Sequence, residues 1–127
     1  MVKKVLFITS NQGIEHDELT EPLNFLKSKG FEVIHAAEKN EDVATVKGDT
    51  KAATQYTPDT SFDHVDLNDY DLLVIPGGTV NADTLRINQD AQKIIQHFAD
   101  NHKPIAAICH GPWALIDADR IKDKNLT

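Results

Sequence analysis

Cysteine is almost absent: Cys109 is the only one in the chain. No disulfide can close within it, and the chain is expected in a reducing compartment, most simply the cytoplasm. Long hydrophobic runs are missing too. No stretch approaches the ~20 apolar residues of a membrane-spanning helix, which argues against a membrane. Basic residues are the minority, 13 Lys and Arg against 20 Asp and Glu, for a formal charge of −7. An acidic surface repels phosphate backbones and anionic lipid, so neither nucleic acid nor a membrane surface is expected as a partner. Internal repeats, low-complexity tracts and interdomain linkers are lacking as well. The 127 residues, 40% of them hydrophobic, fit one domain able to bury a real core.

Continuous apolar runs at Val2–Thr9, Phe31–Ala37, Asp71–Pro76 and Pro104–Ile108 predict strands buried on both faces of a parallel sheet. Between them, Leu19, Leu23 and Leu26 recur at helical spacing across Glu18–Lys29, stopped by Gly30. Pro22 would sit in a first turn or kink a longer helix. Ala91, Ile94, Ile95 and Phe98 share one helical face across Asp90–Asn101. Gly111–Ala118 starts as a further helix, with Pro112 in its first turn. Ser10–Asp17 reads as a loop, Glu38–Thr60 as a small hairpin, and Asp63–Tyr70 as a helical turn or loop. The alternation predicts a doubly wound α/β sheet.

In such sheets sites form in the loops beyond the carboxyl ends of the strands. Three loops stand out: Gly13–Asp17 with Glu15, Gly77-Gly78, and Cys109-His110. Cys109 sits between strand and helix, where a helix N-terminus favours the nucleophilic thiolate. A free cysteine is also a common packing residue, and the local sequence leaves both readings open. Glu15 is one of four acidic residues from Glu15 to Glu21, and stands nearest the sheet edge. Gly77 and Gly78 either make a turn or present N–H groups to a developing oxyanion. His110 could act as a base, although neighbours in a turn usually point apart. His16, His35, His64, His97 and His102 show no metal-ligand spacing.

A-A-I-C-H-G-P-W-A-L-I, V-I-P-G-G-T and G-I-E-H-D-E-L-T-E-P-L together resemble the DJ-1/PfpI superfamily, and most of all its PfpI-type intracellular proteases and general stress proteins. The resemblance runs from Lys4 to Thr127. It implies the flavodoxin-like fold shared with class I glutamine amidotransferase domains. It implies Cys109 as nucleophile, Glu15 as its carboxylic partner, and Gly78 and His110 as backbone donors to the oxyanion, within a Gly77-Gly78 substrate loop. It implies a triad of His110 with an acidic residue of a neighbouring subunit, Asp83 if one residue is inserted between Gly78 and Arg86. Homo-oligomers, dimers or larger, follow from it. Members continue beyond the position of Thr127, so residues 1–127 read as one such domain lacking its C-terminal strands and helix. The loop T-S-N-Q-G-I is more polar and longer than usual. The implied activity needs no cofactor and no metal: Cys109 attacks the carbonyl of a glyoxal, as in glyoxalase III or protein deglycases, or that of a peptide or amide, as in proteases. The alternative is a redox-sensing or chaperone-like stress protein that uses an oxidisable Cys109 without turnover.

Overall fold

The structure is a computed structural model that describes residues 3–48 and 51–108. Cys109, His110, the helix expected from Gly111 and the polar tail from Ile121 lie outside the described residues.

Strand β1 (Lys4–Thr9) is the centre of a five-stranded sheet. It pairs in parallel with β3 (Glu32–Ala37) on one side and β7 (Leu72–Ile75) on the other. The short β6 (Thr60–Ser61) extends the β3 edge, and β8 (Ile105–Ala107) extends the β7 edge, both parallel. Alternate side chains of the buried strands feed two cores, as a sheet covered on both faces requires. Leu6, Ile8, Leu73 and Ile75 pack with Leu85 of α2 (Thr79–Ile87) and Ile94, Ile95 and Phe98 of α3 (Gln89–Asp100). Val5, Phe7, Val33 and Val74 pack on the opposite face with Leu19 and Leu23 of α1 (His16–Ser28). This is the doubly wound, mostly parallel architecture expected from the alternation, and it is consistent with the flavodoxin-like fold that the resemblance implies. Among the described residues no helix is long and apolar enough to cross a membrane.

Several expected boundaries are corrected. Ser10–Asp17 is not wholly a loop: Gln12–Glu15 forms β2, which pairs in parallel with β4 (Val43–Lys47). Helix α1 begins at His16, so Pro22 lies in its interior rather than its first turn. The segment after Gly77-Gly78 is helical, as α2. The expected hairpin is present: β4 and β5 (Lys51–Tyr56) pair antiparallel, completing a small sheet in the order β2-β4-β5. The expected turn region Asp63–Tyr70 overlaps two single 3₁₀ turns, Phe62–His64 and Leu67–Asp69.

Candidate active site

The chain leaves β1 for β3 on one side and returns to β7 on the other, so the strand order reverses between β1 and β7. Ligands in open α/β sheets bind at the carboxyl edge of such a reversal. Two connections leave that edge side by side: Ser10-Asn11 into β2, and Pro76-Gly77-Gly78 into α2.

Glycine is required where they touch. Gly78 has φ +100°, and a Cβ there would lie 2.1 Å from the carbonyl oxygen of Gly13. Gly13 has φ +75°, and its Cβ would lie 2.4 Å from Cβ of Val80. Both conformations are open to glycine and costly to other residues. The backbones therefore approach to a distance that any side chain would prevent.

Hydrogen bonds fix this crossing. The Glu15 N–H donates to the Gly77 carbonyl at 3.3 Å. The Gly77 N–H donates to a carboxylate oxygen of Glu18 at 3.0 Å. Asn81, in the first turn of α2, is fully buried. Its Nδ2 donates to the carbonyls of Pro76 at 3.0 Å and Gly77 at 3.2 Å. Its Oδ1 accepts from the Ser10 N–H at 2.8 Å and the Ser10 hydroxyl at 3.0 Å. One amide thus joins the ends of β1 and β7 and satisfies all its donors and acceptors, as a buried polar group must.

The expected site residues divide as follows. Glu15 ends β2, occupies the N-cap position of α1 without a side-chain cap bond, and is half-buried beside the glycine turn. Gly77 and Gly78 are buried at the same point. Ile108, the residue before Cys109, donates its N–H to the Ile75 carbonyl at 3.0 Å, which brings that end of the chain to the same sheet edge. Asp83 lies on the exposed side of α2, its carboxylate 3.6 Å from the Arg86 guanidinium. Two residues escaped sequence reasoning, Glu18 and Asn81. Helical phase was the missing signal: once α1 starts at His16, Glu18 flanks the inward Leu19-Leu23 stripe, and once α2 is recognised, Asn81 precedes the inward Ala82 and Leu85. Among the described residues no group of three or more His, Cys, Asp or Glu could hold a metal ion.

The family model described as DJ-1/PfpI family matches residues 3–127. A deglycase of Thermococcus kodakarensis is 36% identical over 124 residues, 98% of this chain and 70% of the relative. YraA of Bacillus subtilis, provisionally named a cysteine protease, is 34% identical over 128 residues, 100% of this chain and 72% of the relative. A solved two-domain protein of Anabaena variabilis, with DJ-1/ThiJ/PfpI-like and ferritin-like domains, superposes with a TM-score of 0.85 at 31% identity, over 96% of this chain and 34% of that one. The chain thus spans about 70% of these two curated relatives and about a third of that solved protein.

Proposed function

Because the chain belongs to the DJ-1/PfpI family, we propose that it is a cofactor-independent cysteine enzyme that attacks a small carbonyl compound through Cys109. The observation that carries this reading is the glycine turn. Its peptides are pinned from two sides, at the sheet edge that Ile108 also reaches.

For a 2-oxoaldehyde, the thiolate sulfur bonds to the aldehyde carbon and the carbonyl electron pair moves onto oxygen. The N–H groups of Gly78 and His110 receive that oxyanion. A carboxylate, Glu15 or its neighbour Glu18, takes the proton from this carbon and returns it to the adjacent one through an enediolate. A thioester results. Water hydrolyses it, releasing a 2-hydroxy acid and restoring the thiolate. The sum is substrate plus water, with no external oxidant. With a peptide or amide the same attack expels an amine, protonated by His110, and leaves an acyl-enzyme. Asp83 of a neighbouring copy orients His110 in that route, which makes the working enzyme a homo-oligomer. Short connections around the turn suit a small carbonyl better than a long peptide, and a deglycase name among the relatives supports the same preference.

Methylglyoxal turnover, read as 2-hydroxy acid formed, is the test. The wild type should exceed Cys109→Ser by orders of magnitude. Equal rates would remove the enzyme reading. Peptide hydrolysis without 2-hydroxy acid formation would move the assignment to the amidase route.

A further inference from the structure

Glycine on both sides of the Gly77–Gly78 peptide makes the turn possible and leaves it without a steric lock. A peptide flanked by two glycines can rotate as a plate, because neither neighbour has a Cβ to oppose it. Rotation would exchange the carbonyl of Gly77 and the N–H of Gly78, replacing a donor by an acceptor. An oxyanion would then meet a carbonyl dipole of the wrong sign. The orientation must therefore come from hydrogen bonds.

Two bonds hold it, one from a backbone N–H and one from a side-chain amide. The Gly77 carbonyl accepts from the Glu15 N–H at a long 3.3 Å and from Asn81 Nδ2 at 3.2 Å. The second Nδ2 hydrogen goes to the Pro76 carbonyl at 3.0 Å, so one amide group holds two successive carbonyls. No peptide among the described residues is cis. In a planar trans peptide the N–H points opposite to the carbonyl. Both carbonyls face Asn81, so the N–H groups of Gly77 and Gly78 face away from it. The Gly77 N–H already meets a carboxylate oxygen there, that of Glu18, so this side of the turn accommodates an anionic acceptor. The amide is itself anchored at its other end by Ser10, on the neighbouring strand. It joins the two sides of the strand-order reversal and leaves the Gly78 N–H on the side of the turn away from it.

We infer that Asn81 is a positioning residue: its buried side-chain amide fixes the Gly77–Gly78 peptide so that the Gly78 N–H stays presented as an oxyanion donor. This rests on the reading of Cys109 and Gly78 given above. An aspartate at the position keeps the shape and the acceptor toward Ser10 but turns a donor into a carboxylate facing two carbonyls, which favours the rotated peptide.

Asn81→Asp and Asn81→Ser are compared with the wild-type full-length protein by steady-state methylglyoxal kinetics and by the rate of Cys109 alkylation with iodoacetamide. Alkylation needs the thiolate but no oxyanion donor. Loss of an oxyanion-hole donor costs on the order of 100-fold in kcat. Asn81→Asp should fall by about that factor, with KM within about twofold and an unchanged alkylation rate; Asn81→Ser, which keeps one donor, should fall less. Unchanged kcat in both variants overturns the inference. A parallel fall in kcat and alkylation also overturns it, since that marks general disruption of the site. Should the wild type turn over no carbonyl substrate, the functional reading fails by itself. The crystal structure of Asn81→Asp, or of Asn81→Ser if the aspartate variant does not fold, then decides the positioning claim. A rotated Gly77–Gly78 peptide upholds it, and an unrotated one refutes it.

Discussion

Gly78 and Gly30 both have left-handed backbones, with φ +100° and φ +89°, and differ in their surroundings. Around Gly30 a Cβ would meet nothing within 4 Å, whereas at Gly78 it would strike the Gly13 carbonyl oxygen at 2.1 Å. Gly30→Ala should therefore cost about 1 kcal/mol, the strain of the backbone alone. Gly78→Ala should cost about 3 kcal/mol or more, since a carbonyl of β2 must also move. Urea unfolding of the two variants measures the difference. His35 supplies a second residue-scale prediction. It is fully buried on β3, with its Nε2 2.7 Å from the Thr9 hydroxyl oxygen. Burial outweighs the attraction of Asp59 and lowers its pKa from 6.5 to about 4, with Lys27 adding to the fall. Tyr56 faces the same ring from β5. The unfolded chain thus binds a proton that the folded chain refuses between pH 6.5 and about 4. Stability from this group is complete above that window and falls as the pH drops through it, by about 3 kcal/mol in all. Urea midpoints at several pH values should show this slope in the wild type, and a shallower one in His35→Gln.

At the scale of elements, Asn88 separates α2 from α3, and its side-chain oxygen accepts from the Ala91 N–H at 2.8 Å. Asn88→Ala should cost about 1 kcal/mol, read from thermal unfolding, because an N-terminal donor of α3 is then left without its cap. The strands β1, β3 and β7 and helix α3 were legible because each carries its own burial pattern along the chain. Strand β2 was not. Only Gly13 and Ile14 of its four residues are buried, and its partner β4 lies some thirty positions on, so pairing rather than composition makes it a strand. Helix α2 was hidden for a related reason. Its N-cap is Gly78, without a side chain to cap with, and one of its three buried residues is the polar Asn81. The loops bearing Glu15 and the glycine pair could be located by the strand-end rule alone. Glu18 and Asn81 could not, since their importance depends on helix phases invisible until the helix starts are known.

For the molecule as a whole, Asp83 lies on the open side of α2, flanked by exposed Val80 and Ile87. If a neighbouring copy uses it, two inactive variants should complement each other. Mixing Cys109→Ser with Asp83→Asn under conditions of subunit exchange should restore about a quarter of wild-type peptidase activity in a symmetric dimer, because half the pairs are mixed and each has one intact site. Failure of two inactive variants to complement would show that Asp83 acts within its own chain, and an active Asp83→Asn would place it outside the catalytic unit. The distances along the chain that the glycine turn bridges bear on how the protein acquires its activity. Ser10 meets Asn81 across 71 positions, and Glu18 meets Gly77 across 59. Helix α3 and the β4–β5 hairpin close over far shorter spans, which costs less chain entropy. During refolding, local structure should precede the joining of β1 to β7, and catalysis should return only with that last step. On the proposed reading of Cys109, a newly made chain would carry helices and a hairpin while still chemically silent, and its thiol would become a catalyst only on completion of the sheet.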